Sequence, residues 1–300
     1  MIALHRSTMG ARLPVAVRQG LSRVQNDRAD SARWKCVDPV LLATLSQLLH
    51  EPQERCRQIL DANMSYLSVV ERFRNQPQSR ARLQQHLSRF QFPQSRDLKL
   101  LDASDHRSRL VVSYHTGDFI YGSNVFANHE SAETAQYVLM QKPPSAAFQQ
   151  NLTNAFGETR FKSRTQLLLE SFNFLKLRKR LNAGKSSLLT FADLPPDFGR
   201  RIQIEFLGRE AWFPVGPALM ALTGRMPILP LLIYSVGHSQ CIRLWPLIEP
   251  NRKPGQSAKR VARDITQQLS FPLQWLIQHY PEQWRFLSVL PSFFEAPEFE

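Results

Sequence analysis

From residue 109 onward the chain alternates between short apolar runs of strand character and longer stretches with helical spacing, and that alternation limits the folds open to it. "RLVVSYH" (109–115), "AQYVLM" (135–140), "SSLLTFAD" (186–193), "RIQIEFLG" (201–208), "PILPLLIYS" (227–235) and "CIRLWPLI" (241–248) are apolar runs of strand length. Helices are expected between them over 117–128, 145–156, 164–184 and 217–225, with a last one over 257–280, kinked or divided at Pro272. Parallel strands need a crossover between each pair, so the expectation is an α/β fold with a largely parallel sheet flanked by helices. In such sheets functional groups gather beyond the carboxyl ends of the strands. Two runs end there on titratable residues, His115 after "VVSY" and Asp193 after "LLTFA".

The first hundred residues read differently. Helices are expected over 38–52, where Asp38 is placed to cap and Pro39 to open the first turn, and then over 53–75 and 77–90. Residues 1–100 thus form a basic, helical N-terminal region, and 101–300 the α/β domain. That region holds sixteen Arg and Lys against eight Asp and Glu, so eight of the net +13 charges lie in it. Such a field attracts polyanions: nucleic acid, an anionic membrane surface or an acidic carrier protein. No nucleic-acid-binding module is legible, which leaves the other two ahead. Leu13, Val17, Leu21 and Val24 recur at helical spacing and suit a helix lying on a membrane surface. No segment approaches the ~20 uninterrupted apolar residues of a membrane span, and the N-terminus lacks the apolar core of a signal peptide. Peripheral attachment at the cytoplasmic face is the expectation. Cys36, Cys56 and Cys241 are scattered and form neither a disulfide framework nor a zinc pattern.

Most catalytic motifs are absent or fail on inspection. "AGKSS" (183–187) has Lys179 where a phosphate-binding loop needs glycine, and it runs from helix to strand rather than the reverse. There is no G-x-S-x-G elbow, no H-E-x-x-H and no Cys/His cluster, so neither a serine nucleophile nor a metal site is expected. His115 and Asp118, in "HTGD", remain. If Gly117 opens a helix, an acid three residues after the histidine can hold the imidazole tautomer and stabilise the imidazolium. Alone, H-x-x-D is a weak pattern.

Context comes from "FADLPPDFGRRIQIEFLGREAWFPVGPALMALTGRMPILPLLIYS" (191–235), which resembles the lysophospholipid acyltransferase superfamily in its lipid A late-acyltransferase branch. The resemblance rests on Asp193 at a strand end, Phe206–Gly208, Pro214–Gly216, and Thr223–Gly224 with Pro227 and Pro230. The terminal "YPEQWRFL" (280–287) is similar to the branch's closing segment, and the likeness spans about 105–290.

It implies that His115 is a general base on an acceptor hydroxyl attacking a thioester. It also implies an acyl or aminoacyl carrier protein as partner, with 4′-phosphopantetheine on that carrier as donor arm and no cofactor bound by the chain itself. The acceptor would be lipid A or a related glycolipid, and Arg160, Arg164, Asp193, Gly208 and Gly216 would contact substrate. The family spacing is H-x-x-x-x-D/E, and here the fifth residue after His115 is Ile120. Asp118 is then the displaced substitute; Tyr121 is a further hydrogen-bonding neighbour, Glu130 and Glu133 lie too far along, and Asp193 is the next acid in line. A displaced acid is similar to what a divergent lipid A glycyltransferase shows, which leaves fatty acyl and aminoacyl donors both open. The competing reading is a family member without catalysis, acting as a basic scaffold on membrane or nucleic acid.

Overall fold

The computed structural model describes residues 38–104, 108–130, 134–140, 145–157, 165–169, 174–181, 184–195 and 197–296. Its α/β architecture is a mostly parallel sheet of seven strands, in the order β1 (Phe90–Gln91), β9 (Ser239–Leu244), β8 (Ile228–Val236), β2 (Arg109–Ser113), β5 (Ser186–Phe191), β3 (Ala135–Met140), β4 (Thr165–Leu169). Every neighbouring pair is parallel except β8 and β9, which form a hairpin. A separate antiparallel ribbon joins β6 (Arg201–Phe206) to β7 (Arg209–Pro214).

Alternation along the central strands sorts residues onto two buried faces. Leu110 and Val112 of β2, with Ile228 and Leu232 of β8, face a core shared with α1 (Pro39–Leu49), α2 (Gln53–Asn75), α8 (Gly216–Gly224) and α9 (Ala258–His279). Val111, Leu229, Leu231 and Ile233 face the other side, against Leu101 of α4 (Ser95–Ser104) and Phe119 and Phe126 of α5 (Phe119–His129). A third cluster joins Leu83 of α3 (Arg80–Leu87), Tyr121 of α5 and Phe148 and Leu152 of α6 (Ala146–Phe156). α1, α2 and α4 therefore share their cores with the sheet, α3 packs on α5 and α6, and β1 extends the sheet at one edge.

Local chemistry sets the helix starts. Asp38 accepts from the Val40 amide at 2.8 Å with Pro39 in the first turn, and Ser145 and Ser257 cap α6 and α9. α9 runs through Pro272 undivided. Two further expectations need correction. The helix expected over 164–184 is instead β4 followed by α7 (Phe174–Leu181). "TQLLL" lacks β-branched residues apart from Thr165 and reads as helical alone, but it pairs with β3 from Gln136↔Thr165 to Met140↔Leu169, and pairing overrides its propensity. The helix expected from Gly117 begins at Phe119, because Gly117 adopts φ +56° and turns the chain before the helix can start. The N-terminal stretch 1–33 read as a membrane-surface helix lies outside the described residues. No helix among the described residues is long and apolar enough to cross a membrane.

Candidate active site

β2 and β5 are adjacent and in register, with Ser113 opposite Phe191. Two residues past that pair on each strand stand His115 and Asp193, so the register itself brings them together. His115 Nδ1 lies 2.9 Å from Asp193 Oδ1, and the His115 amide donates to Asp193 Oδ2 at 2.7 Å. Trp284 Nε1 donates to the same Oδ2 at 2.9 Å. Asp193 is fully buried, and three donors converge on its carboxylate, so it serves as an acceptor. With Nδ1 carrying the proton towards Asp193, Nε2 is left with its lone pair. That nitrogen has no hydrogen-bond partner among the described residues, and the ring is 14% exposed at the wall of a cavity.

The loop carrying His115 is clamped from above. Thr116 bridges to Trp284 and donates from its hydroxyl to the Ile233 carbonyl at 2.7 Å. The Gly117 amide donates to Gln283 O, and the Arg285 amide to His115 O. Gln283 is tied in turn to Ser235, accepting its amide at 2.6 Å and donating to its carbonyl at 2.8 Å. "PEQW" is thus a clasp around the histidine loop. A Cβ at Gly117 would sit 2.6 Å from the Ile233 carbonyl oxygen, so both its backbone conformation and its space require glycine. Phe191, Phe119 and Phe286 surround the imidazole, with ring centroids 4.2, 4.8 and 4.9 Å away.

The expected pairing of Asp118 with His115 is not what forms. Asp118 Oδ1 accepts from Arg74 Nε at 3.0 Å and Nη2 at 2.8 Å, and Oδ2 lies 2.9 Å from His86 Nε2. Because α5 starts only at Phe119, Asp118 is the residue before the helix rather than part of its first turn, and its side chain turns to α2 and α3. Burial by itself would raise the Asp118 carboxyl, but Arg74 and His86 outweigh it and hold the group below its usual range. The carboxylate that meets the His115 ring is that of Asp193.

Other expected residues fall in different places. Gly216 opens α8 and lines the cavity, whereas Gly208 is exposed at the tip of the β6–β7 ribbon with φ +77°. Arg160 and Arg164 lie outside the described residues. Glu130 pairs with Arg109, away from the histidine, and Tyr121 is buried among Leu83, Phe148 and Leu152.

The cavity beside His115 encloses about 670 Å³, within the range of small-molecule sites. Its walls are mainly apolar, with Phe119, Leu189, Phe191, Leu194, Phe198 and Met220 among them. Among the described residues, its charged lining consists of Arg74, Arg200, Arg285 and Glu71. Glu71 and Arg285 pair at 2.7 Å and are part-exposed, which marks the solvent side. Sequence reading missed Arg74, His86 and Arg285. Arg285 lay inside the "YPEQWRFL" segment already singled out; the other two belong to helices with no catalytic pattern. Among known proteins, the chain matches no protein-family model and no curated sequence.

Proposed function

We propose that this protein is an acyltransferase that moves a fatty acyl group from a carrier-protein thioester to a hydroxyl of a lipid A-type glycolipid. The observation that supports it is the His115–Asp193 pair, with a free Nε2 opening onto an apolar cavity. Nε2 takes the proton of the acceptor hydroxyl as its oxygen bonds to the thioester carbonyl carbon. The tetrahedral intermediate then collapses, the C–S bond breaks, and the imidazolium returns its proton to the departing thiolate. Ester and free thiol are the products. Asp193 holds the ring tautomer and offsets the positive charge that forms on it. The donor's 4′-phosphopantetheine belongs to the carrier, so the chain supplies base, orientation and a dry pocket.

The cavity favours a fatty acyl over an aminoacyl donor, because a glycyl group would leave most of its aromatic and aliphatic wall uncovered. The basic surplus of the first hundred residues suits peripheral docking on anionic membrane at the cytoplasmic face. The test is incubation of purified protein with acyl-carrier or aminoacyl-carrier and lipid A, reading the mass of the lipid. A gain of one acyl chain, lost by ~10²–10⁴ in rate on His115→Ala, is the expected result. An unmodified lipid, or full activity in His115→Ala, would refute the reading.

A further inference from the structure

Arg74 enters the site from α2, and nothing in the acyl-transfer scheme above uses it. Its side chain is 6% exposed, yet it lines the same cavity as His115. Two of its three nitrogens, Nε and Nη2, are committed to Asp118 Oδ1. Nη1 has no hydrogen-bond partner among the described residues and is not one of the polar atoms sealed from solvent without a partner. The guanidinium thus keeps one nitrogen neither bonded to a described residue nor sealed from solvent, on a side chain that lines the cavity.

Its placement relative to the base follows from Phe119. The guanidinium carbon is 4.5 Å from the centre of that ring, and the His115 ring centre is 4.8 Å from it. The two cannot be farther apart than those distances laid end to end. A hydroxyl donating to Nε2 and a carbonyl oxygen accepting from the guanidinium, each at about 2.9 Å, can bridge that gap with the reacting carbon between them. Arg200 is exposed and Arg285 is occupied by Glu71, so among the described residues Arg74 is the cavity arginine that is both buried and fixed.

We propose that Arg74 is a second catalytic group, donating from Nη1 to the carbonyl oxygen that becomes anionic when the thioester is attacked, with Asp118 as the residue that positions it. The proposal rests on the acyl-transfer reading. A guanidinium anchored by two bonds to one carboxylate oxygen keeps its third nitrogen in a fixed direction, and a preorganised donor in a water-poor site stabilises developing charge without reorganising. Asp118 stands three residues from the histidine because it serves the arginine, and His86 on its other oxygen fixes the carboxylate in turn.

The experiment uses the full chain with myristoyl-N-acetylcysteamine as acyl donor and purified lipid A as acceptor, following thiol release for Arg74→Gln, Arg74→Lys, Asp118→Asn, the double variant Arg74→Gln/Asp118→Asn and His115→Ala. Arg74→Gln is expected to lower kcat by ~10²–10³ with KM little changed, as when an oxyanion donor is removed. Arg74→Lys should recover a part of that loss, and Asp118→Asn should show a smaller defect confined to kcat. The double variant removes both buried charges, so it is the one expected to fold soundly and still stay slow. A double variant as fast as the parent would reduce the pair to a structural role and overturn the proposal. A raised KM with kcat preserved would overturn it too, in favour of ground-state binding of an anionic headgroup. If His115→Ala alone abolishes turnover while Arg74→Gln is fully active, only the arginine proposal falls. If His115→Ala is as fast as the parent, or the parent does not turn over, the acyl-transfer reading falls with it.

Discussion

Trp284 donates its indole N–H to Asp193 Oδ2 at 2.9 Å, onto the same oxygen that accepts the His115 amide. Both are fully buried, and they join the chain's last segment to the end of β5. Trp284→Phe keeps most of the packing and deletes one donor to the carboxylate. A loss of roughly 1.5–3 kcal/mol in stability is expected, as for a hydrogen bond to a charged group. Urea unfolding of the two proteins measures it; equal midpoints would mean that the indole contributes packing alone.

Asp193→Asn addresses the role of the acid at His115 directly. The amide can offer its N–H₂ to Nδ1, which would leave the proton on Nε2 and remove the base. A fall of ~10²–10⁴ in kcat with retained folding is expected. If Asp193→Asn turns over like the parent, the carboxylate is a scaffold for the loop and not a partner in proton transfer.

Much of this site could be read along the chain, and the part that could not has a spatial cause. His115 and Asp193 both stood out because each ends an apolar strand on a titratable residue. Their pairing did not, because it depends on β2 and β5 being neighbours with Ser113 opposite Phe191, which two separate strands cannot declare. The nearer Asp118 matched a linear spacing, and only the left-handed turn at Gly117 sends it elsewhere. Arg74 gave no signal, since an arginine in a basic helix resembles its neighbours until its partner is known. β4 was hidden for the same reason as the pairing: a leucine run becomes a strand only beside β3.

Asp118 makes stability depend on pH in a definite direction. Its folded carboxyl titrates below the ordinary value of 3.8, because Arg74 and His86 overcome the effect of burial. The unfolded chain therefore binds the proton first as pH falls. The stabilisation is complete above the unfolded value and is lost as pH drops through the lowered folded one. Asp118→Asn breaks a buried pair and should cost roughly 3–5 kcal/mol at neutral pH. The gap between parent and variant should close only below about pH 4. Chemical denaturation across pH tests this, and a gap that closes well above that range would assign the effect to another group.

Two glycines with positive φ separate conformational cost from crowding. At Gly208, φ is +77° and a Cβ would meet nothing within 4 Å, so Gly208→Ala should cost only the backbone penalty, about 1–2 kcal/mol. At Gly117, φ is +56° and the Cβ would lie 2.6 Å from a backbone oxygen of β8, which cannot move without disturbing the sheet. Gly117→Ala should cost several kcal/mol, above the usual range for a point substitution of roughly 0.5–3. Thermal unfolding of both variants checks the order, and equal losses would show that β8 yields.

The apolar wall makes donor length the most direct probe of the proposed reaction. Phe191 and Phe119 stand beside His115, and Leu189, Phe198 and Met220 continue the surface. A thioester whose carbonyl carbon faces a hydroxyl held at Nε2 must lay its tail along that surface. Each methylene taken out of water contributes about 0.8 kcal/mol, or about fourfold in kcat/KM, provided the wall continues beneath it. Across a series of saturated acyl-N-acetylcysteamine donors, kcat/KM should climb by that factor per carbon and then stop or fall where the chain reaches the closed end. Replacing Met220 with Trp narrows the cavity from α8 and should move the break to shorter chains, while acetyl transfer stays unchanged. A glycyl thioester that outruns every long-chain donor would move the donor class to aminoacyl groups. A flat series would mean that the tail lies outside this cavity altogether.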